Sequence, residues 1–198
     1  MSAVPLHTNR LTLIPHTPDD VRAQIARMTA DERAHVSPEW LARVPLAAAD
    51  DPWIRGFALV HRTTDVVIGT CGFKGPPDGD GIVEIAYGIA PDHQGHGYAT
   101  EAAAALVAYA FKSGQVRLVR AHTLPEASAS TRVLAKCGFR RVGEVIDPED
   151  GLVWRWEQGL DWSGQSAGGS MQPTSVARTK DPDGHVLRFG SDPKGGGS

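Results

Sequence analysis

The stretch APDHQGHGYATEAAAALVAYAF, residues Ala90 to Phe111, places glycines and histidines directly ahead of a run so rich in alanine that it reads as a helix. Gly95 and Gly97 give the backbone dihedrals and close approaches that a Cβ forbids. The first N–H groups of a helix have no internal acceptors, and together with the helix dipole they form a pocket for a phosphate or diphosphate. The functional reading is therefore an anion site at Gly95 to Thr100; the competing reading is an ordinary strand-to-helix turn with glycine for tightness. A P-loop is excluded because no Gly-Lys-Ser or Gly-Lys-Thr occurs, and QGHGYA (residues 94–99) followed by Thr100 does not complete GxGxxG.

Outward from this stretch, strand and helix patterns alternate. NRLTLIPH (9–16) reads as a strand, and TPDDVRAQIARM (17–28) as a helix with Thr17 as cap, Pro18 in the first helical position and Asp19 and Asp20 at the positive end. GFALVHRTTDVVIGTCGF (56–73) reads as two strands joined around Thr64 and Asp65; GPPDGDG (75–81) turns the chain into the strand IVEIAYGIA (82–90). The alanine helix is expected from Gly97 to about Lys112. VRLVRAHTL (116–124) is a buried strand, SASTRVLAKCGF (128–139) a helix closed by Gly138, and RRVGEVID with GLVWRWE a hairpin about Pro148 to Asp150. The fold class is mixed α/β.

The 198 residues, 41% of them apolar, suffice for one cored domain with an appendage. Cys71 and Cys137 lie far apart with no CxxC or Cys/His spacing, so they read as free core thiols, with no metal site, in a reducing cytoplasm. No segment reaches the roughly 20 apolar residues of a membrane span. A net charge of -3 with scattered arginines argues against a nucleic-acid partner. After Trp162 the composition changes: SGQSAGGS (163–170) and the final KGGGS are linker-like, enclosing MQPTSVARTKDPDGHVLRF from Met171. The expected division is a domain at 1–162, a linker at 163–170 and a tethered peptide or tail at 171–198, with a disordered tail as the alternative.

Two motifs at the right spacing carry a resemblance. QGHGYA (94–99) matches the Q/R-x-x-G-x-G/A loop of the GNAT N-acetyltransferases, and EIAYGIAPDHQGHGYATEA (84–102) resembles their ribosomal-protein-alanine acetyltransferase branch. STRVLAKCGF (130–139) is similar to the family's S-x-R-V-L-x-K-x-G-F helix, and the opening TNRLTLIPHTPDD to the branch's usual start. The resemblance covers residues 7 to 157 and implies a mostly antiparallel twisted sheet with helices on both faces, whose fourth and fifth strands splay apart to admit acetyl-CoA. It further implies that the backbone of Tyr87, Gly88 and Ile89 pairs with the pantetheine arm, and that Gln94, Gly95, His96, Gly97, Tyr98, Ala99 and Thr100 hold the diphosphate. The segment TKDPDGHVLRF (179–189) resembles one in short actinobacterial regulatory proteins of a domain family of unknown function.

Acetyl transfer to an amine requires a base, polarisation of the thioester and a proton for the leaving thiolate. Glu84, flanked by Ile82, Val83, Ile85 and Ala86, is expected to have its pKa raised by burial toward that of a useful base, the role the resemblance gives a glutamate here, commonly through water. The alternative is a strand residue hydrogen-bonded at the cleft mouth. Tyr87, three residues on, faces the other side of the strand. Ser130 matches the family serine proposed as proton donor to the thiolate; as a serine at a helix start it is equally a candidate cap. Relatives usually carry asparagine two or three residues earlier, where Ala127 and Ser128 stand here. His93 and His96 are expected to be solvated or to contact ribose, and His122 is a candidate for the splay and the acceptor. Trp40, Trp53, Trp154 and Trp156 are expected as core or cleft walls, the last two on one strand face.

The acceptor readings are a protein or peptide amine, with residues 171–190 as a tethered substrate or regulator and Lys180 as its candidate lysine; a small amine such as an antibiotic or polyamine; and a weakly catalytic acetyl-CoA-binding interaction module. A monomer or homodimer is expected.

Overall fold

The computed structural model describes residues 4–29, 42, 44, 51–147 and 151–160. The elements are β1 (Leu6–His7), β2 (Leu11–Pro15), α1 (Pro18–Arg27), α2 (Pro52–Arg55), β3 (Phe57–His61), β4 (Val67–Phe73), β5 (Ile82–Ile89), a 3-10 turn (Pro91–His93), α3 (Tyr98–Lys112), β6 (Leu118–Thr123), α4 (Ala129–Lys136), β7 (Arg140–Asp147) and β8 (Gly151–Gly159). The strand and helix order matches the sequence reading, with the two-residue β1 and the one-turn α2 added. The turn between β7 and β8, Trp40, and everything from residue 161, including the linker, the tail and Lys180, lie outside the described residues.

Local chemistry accounts for the helix ends. The Thr17 side chain accepts from the Asp20 amide while the Asp20 carboxylate accepts from the Thr17 amide, a reciprocal cap that starts α1 with Pro18 already fixed at a helical φ. At the end of α4, Gly138 sits at φ +87°, its N–H bonds Ala135 O at 3.1 Å, and the Phe139 N–H bonds Leu134 O at 3.0 Å. This is the left-handed glycine stop read from the sequence.

The sheet has eight strands in the order β1-β2-β3-β4-β5-β6-β8-β7. Its pairings are antiparallel except β5 with β6, which run parallel. That parallel pairing covers only Ile82 to Glu84 against Leu118 to Arg120. Beyond it, residues 85–89 of β5 remain paired to β4, and residues 121–123 of β6 remain paired to β8. The two strands therefore part at Glu84, which is the expected splay; the short β1 moves its strands to fifth and sixth in the count.

One face of the sheet is covered by α3 and α4. Ala102, Ala103, Leu106 and Ala110 of α3 are fully excluded from solvent against Leu11, Leu13, Phe57, Leu59, Val83, Val119 and Leu134. Small side chains at consecutive core positions let the helix axis lie close to the strands. The opposite face carries α1, whose Val21 and Ile25, with Met28 just past its end, pack with Val44, Ile54 and Ala86 of β5. Trp53 packs edgewise on Tyr109 and against Phe73, and Trp154 and Trp156 pack against the core, as wall residues. Cys71 and Cys137 are free thiols. None of the described helices is long and apolar enough to cross a membrane.

Candidate acyl-donor and acceptor site

The site begins where β5 ends. Gly95 and Gly97 both take left-handed backbone conformations, φ +78° and +81°, and Gly97 is the N-cap of α3, which therefore begins at Tyr98 rather than at Gly97. Gly97 has no side chain to cap the helix, and the first return bond runs from the Glu101 N–H to Gly97 O at 3.2 Å. The N–H groups of residues 95–100 meet no acceptor among the described residues. A row of open amides at the positive end of a fifteen-residue helix is a ready anion cradle.

Side chains the sequence did not single out brace this loop. The Arg10 guanidinium donates to Glu101 Oε2 at 2.9 Å and to His96 O at 2.8 Å, and lies 4.7 Å from the centre of the Tyr98 ring. Glu101 Oε1 accepts from the Arg10 N–H and from the Thr8 hydroxyl, both at 2.6 Å. Burial pushes the Glu101 carboxyl up, but the bonds from Thr8 and Arg10 outweigh it and leave the carboxyl below its ordinary value. The acid so close to an anion cradle is thus neutralised by Arg10. His96 stacks on Tyr98 at 5.7 Å and is exposed, and His93 is half-buried with its carbonyl oxygen 3.3 Å from His96 Nδ1.

The edge of β5 continues the cradle. The Lys74 N–H bonds Glu84 O and the Ala90 N–H bonds Ile68 O, so Glu84, Ala86, Gly88 and Ala90 turn their backbone groups toward β4. Tyr87 and Ile89 then turn theirs toward β6, where no strand pairs with them. Ile89 O accepts from the Gln94 side chain at 3.0 Å, which folds the loop back on the strand. The Tyr87 ring faces the α3 side, packed against the core as the alternation predicts, and burial pushes its hydroxyl pKa up.

At the opposite end of the splay stands Glu84. Its Oε1 is 2.7 Å from Lys74 Nζ and 3.0 Å from His122 Nδ1, and its side chain is 15% exposed. Here the sequence reading is corrected. Burial does push the Glu84 carboxyl up, but the Lys74 ammonium and the bond from His122 outweigh it, so the carboxyl sits below its ordinary value rather than above it. Glu84 shares its face with Arg120 and His122 of β6, and Arg120 makes a two-nitrogen contact with Glu157 Oε1 at 3.0 and 2.9 Å. On the same face a small pocket between α1 and β4 is lined by His16, Gln24 and Thr70, and burial lowers the His16 pKa against the opposing pull of Asp20.

Ser130 is also corrected as a cap. The N-cap of α4 is Ser128, whose hydroxyl accepts from the Thr131 N–H while Thr131 Oγ1 accepts from the Ser128 N–H. Ser128 thus supplies a cap in the stretch where the family resemblance leads one to expect asparagine. Ser130 stands on the first turn and is exposed. Nothing in the sequence pattern pointed to Lys74, Arg10 or Thr8, whose partners are 10 to 93 positions away; Glu101 was visible as an acid on a first turn, without its partners.

The profile of the acetyltransferase (GNAT) domain matches residues 10–140. Over 93 residues the chain is 36% identical to the uncharacterized N-acetyltransferase p20 of Bacillus licheniformis, 47% of this chain and 52% of that protein, so it spans about half that relative's length. Over 148 residues it is 29% identical to the uncharacterized N-acetyltransferase YoaA of Bacillus subtilis, 70% of this chain and 84% of the other. Among solved structures, a ribosomal-protein alpha-N acetyltransferase in complex with coenzyme A superposes with a TM-score of 0.59 at 14% identity, covering 80% of this chain and 99% of that one, a likeness of fold.

Proposed function

Because the chain belongs to the GNAT acetyltransferase family, we propose that it transfers the acetyl group of acetyl-CoA to a primary amine of a protein or peptide. The observation that carries this reading is the continuity of two open donor sets: the amides of residues 95–100 and the unpaired edge of β5 at Tyr87 and Ile89. The first fits a diphosphate, with Arg10 at its flank, and the second fits the amide-bearing arm of coenzyme A.

Acetyl-CoA supplies an activated thioester: the amine nitrogen bonds the carbonyl carbon as the C–S bond breaks, one ammonium proton leaves to a base and another ends on the thiolate. Gly95 to Thr100 and Gln94 fix the far end of the donor. Tyr87 and Ile89 orient its arm so that the acyl group reaches the point where β5 and β6 part, while Gly88 between them is bonded to β4 and holds the edge in place. Glu84 stands there on the α1 side, its carboxylate bound to Lys74 Nζ and His122 Nδ1. Ser130, with its exposed hydroxyl on the first turn of α4, is the proton donor to the thiolate. Holding both reactants at one point supplies much of the rate without a covalent intermediate.

A peptide acceptor is supported by the Gly/Ser stretch 163–170, which ties residues 171–190 to the domain, and by the structural neighbour named for a ribosomal-protein α-amine. Incubation with acetyl-CoA and a synthetic peptide of residues 171–190 tests it, read by thiol release and mass spectrometry. A gain of one acetyl group on the peptide is expected, with Lys180 the candidate site. Thiol release with spermidine alone would move the acceptor to small amines, and coenzyme A binding without transfer to any amine would contradict the enzyme reading.

A further inference from the structure

We propose that His122 is the group that takes the proton from the acceptor amine, and that Glu84 is the positioning residue that holds it; the proposal rests on the acetyl-transfer reading above. The imidazole Nδ1 lies 3.0 Å from Glu84 Oε1. A carboxylate only accepts hydrogen bonds, so Nδ1 carries the proton and Nε2 presents its lone pair. Lys74 Nζ, 2.7 Å from the same oxygen, keeps that carboxylate ionised and the tautomer fixed. Burial opposes the ionised form but is outweighed by these two partners.

Nε2 is the unusual atom. The His122 side chain is 5% exposed, and Nε2 is shut off from solvent with no hydrogen-bond partner among the described residues. A buried ring acceptor left without a donor is costly, and an incoming ammonium or amine N–H relieves that cost. Its place in the fold fits this role. His122 is two residues past Arg120, the last β6 residue paired with β5, and so stands where the strands part. The amides of residues 95–100 lie at the other end of the splay, five strand residues away along 85–89 at about 3.3 Å each. A donor anchored by its diphosphate at one end presents its acyl group at the other. Charged groups around the imidazole are Glu84 and Lys74, Arg155 directly opposite on β8, and the Arg120–Glu157 pair one step along.

The protons balance as follows. His122 Nε2 takes one proton from the ammonium form of the acceptor; the neutral nitrogen attacks the thioester carbon, the C–N bond forms and the C–S bond breaks. The second proton lost by nitrogen ends on the thiolate, and the imidazolium returns its proton to solvent. A carboxylate already bound to Lys74 is a poorer acceptor for the first proton than a free imidazole lone pair.

Nitrogen-15 NMR of the full chain labelled at histidine, with H122Q identifying the signal, reads the tautomer directly. A neutral ring protonated at Nδ1 and bare at Nε2 is expected; protonation at Nε2 overturns the proposal. In kinetics with acetyl-CoA and spermidine or the 171–190 peptide as probe amines, H122Q is expected to lower kcat/KM by about 100-fold or more and to remove the acid limb of its pH profile. E84Q is expected to move that limb and lower kcat with little change in the KM for acetyl-CoA, with partial rescue by E84D. An H122Q protein that binds coenzyme A like the wild type and keeps both rate and acid limb overturns the proposal while leaving the acetyl-transfer reading intact. A wild-type protein that binds no coenzyme A overturns that reading, and this assignment with it.

Discussion

Glu101 is held by three short contacts from Thr8 and Arg10, and those contacts join the first strands to the start of the alanine helix. Because its native carboxyl pKa lies below the ordinary 4.5, its contribution to stability is complete above that pH and is lost as the pH falls through the lower native value. Glu101→Gln is therefore expected to destabilise the protein at neutral pH by about 1–3 kcal/mol. It should also flatten the decline of stability in acid, as measured by denaturant unfolding across that pH range. A wild-type and variant decline of equal slope would show that Glu101 is not the titrating group. Glu84 teaches the complementary lesson about legibility. Its burial was readable from its apolar neighbours, and that alone predicts a raised pKa. The partners that reverse the direction, Lys74 across the sheet and His122 on the next strand, become neighbours only when β4, β5 and β6 assemble. Sequence patterns reveal environments more readily than pairings.

At the scale of elements, Gly97 and Gly138 share a left-handed conformation but serve different ends of different helices. Each Gly→Ala change should cost about 1–2 kcal/mol, because a Cβ is disfavoured at such φ values. The account predicts that they separate in binding. Gly138→Ala, at a helix stop where an added Cβ would meet the Gln158 side chain and none of residues 95–100, should lower the thermal midpoint with coenzyme A affinity unchanged, whereas Gly97→Ala should also weaken coenzyme A; calorimetry and thermal unfolding distinguish the two. Ser128→Ala should remove the α4 cap at a cost of about 1 kcal/mol, and Ser130→Ala should cost little stability, in denaturant titrations. The longer elements were legible because capping residues and glycine stops mark their ends. β1 and α2 were not, since two and four residues show no period. Which of two nearby serines caps α4 was decided by chain geometry, with Ser128 extended and Ser130 already inside the helix.

Across the whole molecule, the site exists because one sheet is continuous on both sides of a local separation. β4 holds β5, and β8 holds β6, so the two inner strands can part beyond Glu84 without losing their outer partners. The fully buried face of α3 fixes the anion cradle against the same strands. Leu106→Ala, in the middle of that face, should cost about 2–5 kcal/mol in denaturant unfolding. The spacing of two motifs made this architecture readable, whereas the length of the β5–β6 pairing, which sets where the splay opens, is a property of the folded sheet. The central claim is that the amides at residues 95–100 and the open edge of β5 together bind coenzyme A. Titration calorimetry of the full chain with coenzyme A tests it most directly. The wild type should bind with a Kd of about 1 µM to 1 mM, and Gly97→Ala and Arg10→Ala proteins of native circular dichroism should bind at least about tenfold more weakly, a difference of about 1.4 kcal/mol. A folded wild type that evolves no binding heat, or variants that bind as tightly as the wild type, would contradict it.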